Sequence, residues 1–427
     1  MLARAAELQA ALTSDQSGAA ELSEVLTSAQ TRVEDPKEEL TPHQQGPRDW
    51  LRQTADAAAP SGGRELRDAN DRGGNLHRGG KRLVHGVLLL DKPLGLSSNQ
   101  ALQKAKWLLR ASKAGHTGTL DPLATGVLPL CFGAATKFSQ LQLDADKTYE
   151  AVLLLGQKTS TADAEGEVIE MRPVPEITRE MLQTLTQRFT GPQAQIPPMY
   201  SALKKDGKAL YKYARKGLSV EREPRNIVIY KLEMALSHDP RAQAAIKIIV
   251  SCSKGTYIRT LGEDIGEALG CGAHLGSLRR IETGGFVAAQ CLTLSALQAM
   301  TEAEREACLL PPQSLVAAYP SVTLDADNAG RFLSGLRRRG QWGANAPLVQ
   351  VYGSEPAAFL GSAHITADEL IPQRLLSPVE VQDILQATRR AVEVLTPDFM
   401  TVPSAPTGVG SFQYQSPTVF KSPESQP

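Results

Sequence analysis

The sequence predicts a mixed α+β fold in which a larger domain precedes a small β-domain. Strand and helix patterns succeed one another from residue 84 onward, without the strict alternation of a parallel α/β protein. Short apolar runs separated by Gly and Asn clusters begin near residue 319 and are typical of a small β-barrel. A chain of 427 residues that is 41% hydrophobic is long enough for two such domains plus flexible segments.

Three elements are predicted at the start of the larger domain. The apolar run 84–90 indicates a buried strand, because it is continuous rather than alternating. Ser97 or Ser98 caps a helix that extends to about residue 111, since a small hydroxyl side chain accepts from the free amides of a helix start. A second strand is predicted over 148–155.

Two helices and a pair of strands are predicted next. Thr178 caps the first of these helices, which has an apolar face. The strands follow at about 226–235 and 244–252. Thr256 caps the second helix, whose apolar residues recur every four positions. Its first turn then carries Tyr257 and Arg259.

Composition divides the chain into four segments. Residues 1–82 are polar, contain few aromatics and are predicted to be disordered. The larger domain spans 83–317 and the small β-domain 318–377. Residues 378–427 are predicted as one helix followed by a disordered Pro/Ser/Gln tail.

The overall charge and the cysteines narrow the class of protein. Lys plus Arg at 46 balances Asp plus Glu at 46, so an RNA site must be a local basic patch. The five cysteines form no CxxC pair and no secretory signal is evident, which predicts a cytoplasmic protein. No apolar stretch reaches the length of a membrane span, so no membrane-spanning segment is expected. Cys271 and His274 supply only two zinc ligands, so no metal site is expected.

The most informative segment is 115–129, which places Asp121 in a glycine-punctuated loop before an apolar run. Gly115, Gly118 and Gly126 permit positive φ or close backbone approach, and Pro122 fixes the chain after the acid. An Asp-Pro pair is also a common turn initiator. On the residues alone, Asp121 is therefore either a turn residue or a precisely placed carboxylate.

The segment resembles the catalytic motif of the TruB-type tRNA pseudouridine synthases. The resemblance runs from about residue 83 to about residue 285, with further motifs in the same order at 87–93, 133–138, 147–149, 199–204 and 253–260. It implies a pseudouridine synthase catalytic domain with a largely antiparallel sheet, followed by a PUA-like RNA-binding β-barrel. Two positions depart from the pattern: Ala134 stands where a Glu is common and Ser160 where an Asp is common.

The resemblance implies catalytic roles for Asp121, Tyr149 and Arg259. Asp121 is the nucleophile, and whether it attacks C1′ or C6 of the uridine or removes a sugar proton stays open. Arg259 holds that carboxylate ionised through a guanidinium fork with two hydrogen bonds. Tyr149 stacks on the target base and accepts its C5 proton.

Binding roles follow for a second group of residues. His116, Tyr149, Tyr257 and Leu278 are implied to contact the substrate, although a structural histidine and a core leucine are the alternatives for His116 and Leu278. A basic cluster with interleaved tyrosines suits phosphate contact, although it is also consistent with a solvated face. The RNA contacts assigned are Lys204, Lys205 and Lys208 of this cluster and Lys92 of the 87–93 motif.

The predicted activity is the isomerisation of uridine 55 in the T-arm of tRNA to pseudouridine, with the base flipped out of the RNA. No metal or organic cofactor is expected, and the protein is expected to be a monomer without a protein partner. Two alternatives remain. One is an RNA-binding protein that keeps the scaffold without turnover. The other is a hydrolase that uses Asp121 as a glycosidase nucleophile, for which no second carboxylate is evident as general acid.

Overall fold

The structure, a computed structural model, describes residues 80–395, with side chains described as far as residue 390. The disorder predicted for residues 1–82 falls outside the described residues except at its end, and the predicted tail beyond 395 falls outside them as well.

The larger part of the fold contains fourteen strands and seven α-helices within the described residues. In chain order these are β1 (Gly86–Lys92), α1 (Ser98–Leu108), β2 (Ala114–His116), β3 (Ala124–Phe132), α2 (Ser139–Leu143), β4 (Lys147–Leu155), β5 (Gln157–Thr159), β6 (Val168–Met171), α3 (Arg179–Phe189), β7 (Gly191–Gln195), β8 (Lys204–Lys205), β9 (Lys208–Ala209), α4 (Leu210–Ala214), β10 (Arg225–Ser237), β11 (Ala245–Cys252), α5 (Ile258–Ala268), β12 (Ala273–Thr283), β13 (Phe286–Val287), β14 (Leu292–Thr293), α6 (Leu294–Ala299) and α7 (Glu302–Ala307).

The C-terminal part adds five strands and two helices. These are β15 (Ser321–Leu324), α8 (Ala326–Leu333), β16 (Arg338–Arg339), β17 (Ala346–Ser354), β18 (Ala357–Thr366), β19 (Glu369–Leu375) and α9 (Pro378–Leu395). The strands form a separate five-stranded sheet in the order β15-β17-β18-β19-β16. No helix among residues 80–395 is both long enough and apolar enough to cross a membrane.

The large sheet has ten strands, in the order β14-β1-β3-β12-β4-β11-β10-β7, with β13 paired to β12 and β2 to β3. The β1–β14 and β3–β12 pairs are parallel, and the other pairs in this sheet are antiparallel. This architecture confirms the predicted α+β class with a largely antiparallel sheet and a small C-terminal β-domain.

Local signals explain the helix at the start of the fold. Ser97 caps α1 as predicted, and a capping box joins its backbone and side chain to Gln100. The helix ends at Leu108 rather than near residue 111, because Arg110 adopts a φ of +52° and Ala111 forms an isolated β-bridge with Arg82. The end of α1 is therefore set by a long-range bridge.

Further differences from the sequence prediction concern β12 and α5. The long central strand β12 was not predicted, and it lies between β3 and β4. Thr256 does not cap α5. The N-cap is Tyr257, whose backbone amide donates to Oε1 of Gln195 while the Gln195 amide donates back to the Tyr257 carbonyl. The side chain of a distant residue replaces the local cap.

The region of the large sheet around β1 and β3 is buried on both faces, and the two faces belong to different cores. In β1, Leu88 and Leu90 belong to the core that includes residues of α1, whereas Val87 and Leu89 belong to the core that includes the C-terminal part. The sequence of a strand that is buried on both sides is a continuous apolar run, which explains the apolar residues at 84–90. The ring of Phe138 lies 5.3 Å from that of Phe359 across this second core.

Helix α9 returns from the β-domain to the larger part and packs against α7. Its Glu380 lies 2.6 Å from Nζ of Lys137, which also donates to the carbonyl of Leu375. Lys137 thus forms its ion pair with a carboxylate of α9. Ala134, which stands where a Glu is common, lies three residues before Lys137. Asp383 lies 3.4 Å from Nε2 of His85.

We expect Phe138→Ala to destabilise the whole protein by about 3–5 kcal/mol, because it opens a cavity in the core that both parts share. Denaturant unfolding followed by tryptophan fluorescence measures this. The matched control is Trp107→Ala, since Trp107 is an aromatic residue that is 76% exposed. Equal losses for the two variants would contradict a shared core.

Candidate active site

A cavity of about 540 Å³ opens between the loop before β3, the strands β4 and β12, and the start of α5. The structure brings five of the predicted site residues to its wall: Asp121, Tyr149, Tyr257, Arg259 and Leu278. These residues come from four separate stretches of sequence. The catalytic set named from the sequence therefore surrounds one cavity.

The Asp121 loop is fixed on both sides by hydrogen bonds. The Ser98 hydroxyl at the start of α1 both accepts from the amide of Leu120 and donates to its carbonyl. Gly95 donates to the carbonyl of Pro122 at 2.9 Å. These contacts hold the backbone on either side of the carboxylate, so the position of Asp121 does not depend on its own side-chain contacts.

Gly126 follows the loop and permits the close approach of two strands. It adopts a φ of +100°, and a Cβ at this position would lie 2.1 Å from the carbonyl oxygen of Arg280. Any other residue would separate β3 from β12 at the point where Gly126 pairs with Arg280. Gly118 also has a positive φ, of +147°, whereas Gly115 does not have one.

Arg259 lies in the first turn of α5 and is 5% exposed. Its Nη2 lies 2.8 Å from Oδ2 of Asp121 and donates to the Tyr200 carbonyl. Its Nη1 donates to the Thr161 carbonyl at 3.0 Å. Arg259 thus does not bind Asp121 through the predicted pair of hydrogen bonds. Instead, Nη2 contacts Asp121 and the Tyr200 carbonyl, and Nη1 contacts the Thr161 carbonyl.

A second carboxylate, which the sequence reading missed, lies on the other side of this guanidinium. Oδ2 of Asp163 is 3.6 Å from Nη1 of Arg259, and its side chain is 4% exposed. Its Oδ1 accepts from the Thr161 hydroxyl and from the Glu165 amide. Asp163 does not line the cavity. Asp163 therefore orients Arg259 from the side of the guanidinium that faces away from the cavity. In the sequence, the polar and turn-rich character of loop 156–166 was the feature that could have drawn attention to Asp163.

The Asp121 carboxylate has a raised pKa. The principal cause is burial, which the nearby Arg259 opposes and the negative charge of Asp163 reinforces. The side chain keeps 42% of its surface exposed, because it faces the open cavity, yet protein surrounds it on the remaining sides. Arg259 offsets part of the burial cost and does not reverse it.

Tyr149 lies on β4, flanked by Val250 of β11 and Arg280 of β12. It is 9% exposed, and burial raises the pKa of its phenol while Arg280 acts to lower it. Arg280 was not named as a site residue from the sequence, although the alternation of a strand places it on the same face as Leu278. It is only 1% exposed, and its Nε donates to the carbonyl of Val127.

Two predicted binding residues lie elsewhere. His116 is on β2 and does not line the cavity; its pKa is lowered by burial and by Arg280. Lys92 is fully buried, with Nζ donating to the carbonyls of Pro93 and Leu96. Burial lowers the Lys92 pKa to about 8, against the opposing charge of Asp121. This position corrects the predicted RNA contact, because a sealed ammonium cannot reach a phosphate.

The other three lysines occupy an exposed hairpin. Lys204 and Lys205 form β8, and Lys208 opens β9. All three are exposed, and the segment that leads into them, Ser201 to Leu203, lines the cavity. The hairpin thus presents positive charge beside the opening. Among residues 80–395, no cluster of three His, Cys, Asp or Glu side chains is arranged to hold a metal ion.

Comparison with known proteins gives matches along most of the described chain. The family described as TruB family pseudouridylate synthase (N terminal domain) matches residues 106–258. The tRNA pseudouridylate synthase B C-terminal domain matches residues 259–317, and the family described as Pseudouridine synthase II TruB, C-terminal matches residues 320–376. The matches thus extend from α1 to the last strand of the β-domain.

Individual relatives are similar over nearly their full length. A tRNA pseudouridine synthase B of Verminephrobacter eiseniae is 64% identical over 71% of this chain and 92% of the relative. A second one, from Ralstonia pickettii, is 56% identical over 69% of this chain and 95% of the relative. Among solved structures, a Cbf5-Nop10-Gar1 complex has a chain with a TM-score of 0.53 at 23% identity, covering 70% of this chain and 87% of that one, which shows a shared fold. The chain belongs to the TruB family of pseudouridylate synthases.

Proposed function

We propose that this protein converts uridine 55 in the T-arm of tRNA to pseudouridine. The observation that carries the proposal is the Asp121 carboxylate, held 2.8 Å from a buried arginine on the wall of a cavity that also contains Tyr149. The similarity to curated tRNA pseudouridine synthases B supports tRNA as the substrate. The division into a catalytic domain at 83–317 and an RNA-positioning domain at 318–377 is part of the same proposal.

The reaction breaks the N1–C1′ bond, turns the uracil and joins C5 to C1′. A uridine in a folded arm must first leave its stack, and a cavity of about 540 Å³ with aromatic walls suits an extruded base. Tyr149 and Tyr257 supply those aromatic surfaces, and Leu278 supplies an apolar one. These three side chains hold the base within reach of Asp121.

The carboxylate supplies the nucleophile. A carboxylate stabilises an oxocarbenium-like centre, forms a covalent bond and remains a competent leaving group. Arg259 keeps Asp121 ionised, and Asp163 and the Thr161 carbonyl fix the plane of the guanidinium. Attack at C1′, attack at C6 and removal of a sugar proton are all compatible with this arrangement.

The last chemical step removes the C5 proton, and we assign Tyr149 as its acceptor. The exposed hairpin that carries Lys204, Lys205 and Lys208 binds phosphates of the arm, since its charges lie beside the cavity opening. The five cysteines form no CxxC pair, which fits a reducing compartment, and we propose that the protein acts in the cytoplasm.

A transcript of tRNA incubated with the purified protein tests the proposal. Pseudouridine at position 55, mapped by carbodiimide modification and primer extension, is the expected product, and a transcript with cytidine at 55 is the control. Binding without product would support the scaffold alternative. Free uracil in the supernatant would support the hydrolase alternative. Either result would overturn the proposed function.

The acid side of the activity profile follows from the Asp121 pKa. The reactive form is the carboxylate, and its pKa lies above the ordinary value of 3.8 mainly because of burial. Activity is therefore full well above that raised pKa and is lost as the pH falls through it. Measuring kcat/KM from about pH 4 to about pH 8 should give an acid limb whose midpoint lies above that of an ordinary aspartate. A midpoint at the ordinary value would contradict the burial argument.

A further inference from the structure

We propose that Arg280 is a positioning residue for Tyr149. Its buried guanidinium presents the phenol oxygen to the cavity as an acceptor and stabilises the tyrosinate that takes the C5 proton of the target uracil. The inference rests on the proposed function and adds to it the residue that makes Tyr149 a base.

Arg280 is a buried cation without a carboxylate partner. It is 1% exposed and is among the largest fully buried side chains of the described residues. Within the described part of the chain no Asp or Glu forms an ion pair with it, whereas its neighbour Arg279 binds Asp91 through both amino groups. A buried charge without a partner is costly, and its retention calls for a group that benefits from it.

One donor of Arg280 is unused. Its Nε donates to the Val127 carbonyl at 2.7 Å. Arg280 is the direct cross-strand partner of Tyr149, and both residues line the same cavity. Its Nη2 is sealed from solvent and has no hydrogen-bond partner in the described residues. Solvent does not reach this nitrogen, and the Arg280 side chain lines the cavity wall together with Tyr149. A spare buried donor next to a phenol is suited to an oxygen that becomes negatively charged.

The direction of the hydrogen bond matters. A guanidinium has donors and no acceptor, and it keeps its proton in proteins. In a hydrogen bond between these two side chains the Tyr149 oxygen is the acceptor, and the hydroxyl proton points away from the guanidinium. A donor-only, permanently charged partner favours the ionised phenol over the neutral one. The antiparallel pairing of Arg280 with Tyr149 and the close approach of Gly126 fix this geometry.

The other groups that face Tyr149 do not supply this charge. Cys252 on β11 has its pKa raised by burial to about 11 and is a neutral thiol. Asp121, on the loop before β3, opposes ionisation of the phenol. Lys147 lies two residues away on β4, and burial lowers its pKa to about 8, so it is partly neutral near that pH. Arg280 on β12 is the permanent cation among them.

The proton balance closes through the solvent. Tyr149 loses its phenolic proton to solvent before the chemical step. Its phenolate oxygen then takes the proton from C5 after the C5–C1′ bond has formed. The electron pair of the C5–H bond re-forms the C5–C6 double bond, and the electron pair of the C6–N1 double bond moves to N1, which takes one proton from solvent. The product is neutral Tyr149 and pseudouridine.

The test places 3,5-difluorotyrosine at position 149 of the full chain, so that the phenol titrates near neutral pH and its fluorine signals report the titration. Arg280→Met removes the charge, and Arg280→Lys keeps it. Arg279→Met is the matched control on the opposite face of the same strand. We expect the midpoint to rise by at least about one pH unit in Arg280→Met, to change much less in Arg280→Lys and to stay unchanged in Arg279→Met.

Kinetics provide the second measurement, with natural tyrosine at position 149. Arg280→Met should lower kcat about tenfold with an unchanged Kd for tRNA, and Arg280→Lys should restore most of the rate. An unchanged fluorine midpoint in Arg280→Met, or a raised midpoint with wild-type kcat, would overturn the inference. Arg280→Gln replaces Arg280→Met if the latter does not fold. If the wild-type protein made no pseudouridine, the proposed function would be wrong. The fluorine titration would still show whether Arg280 lowers the pKa of Tyr149.

Discussion

Asp121→Asn should lower single-turnover pseudouridine formation by at least about 10³-fold, which corresponds to roughly 4 kcal/mol in the barrier. The substitution keeps the volume of the side chain and its reach toward Arg259, but removes the negative charge and the nucleophilic oxygen. The loop itself should persist, because Ser98 and Gly95 hold the backbone around it. Affinity for tRNA should therefore survive.

The matched control is Asp144→Asn, the same change in a side chain that is 62% exposed and paired with Lys254. It should retain full activity. Kd for tRNA and the melting temperature are measured on the same preparations, so that a folding defect is separated from lost chemistry. A folded Asp121→Asn variant that binds tRNA and turns over at the wild-type rate would reduce Asp121 to a turn residue.

Arg259→Lys should lower turnover by about 10²-fold although the charge is retained. The guanidinium contacts Asp121 and Asp163 and donates to two backbone carbonyls, and the single nitrogen of a lysine cannot reproduce that planar arrangement. Two carboxylates then lie near a poorly placed cation. The acid limb of kcat/KM should also move to higher pH, since Asp121 loses part of the interaction that lowers its pKa.

Arg172→Lys serves as the control, because Arg172 forms ion pairs with Glu170 and Glu267 at the surface. Exposed pairs of this kind contribute little, so its rate and pH profile should match the wild type. If Arg259→Lys had the wild-type acid limb, Arg259 would not be the group that holds Asp121 ionised.

Locally determined features of the fold were accessible from sequence, and features set by distant contacts were not. Ser97 capped α1 as predicted because its partner Gln100 is three residues away. The strand β12 was missed because Arg279 and Arg280 interrupt its apolar pattern. The structure shows why both are tolerated: Arg279 binds Asp91 of β1, on the far side of β3, and Arg280 lines the cavity wall.

The candidate site shows the same division. The motif around Asp121 and the run containing Arg259 pointed to residues that the structure brings together, and their catalytic roles stay predictions. Asp163 and Arg280 were not named, since a lone acid in a polar loop and an arginine in a strand usually belong to the solvated surface. Lys92, which lies in the 87–93 motif, was assigned to RNA although it is fully buried.

The large sheet and the β-domain share one hydrophobic core, so packing as well as the covalent chain holds them together. Val87 and Leu89 pack with Phe332 and Phe359 across it, and α9 adds ion pairs beyond the last strand. An apolar contact of this kind resembles the interface of an obligate dimer. If the backbone were cut just before residue 321, the two pieces would therefore behave as subunits that fold and purify together, and neither would be a smaller version of the protein.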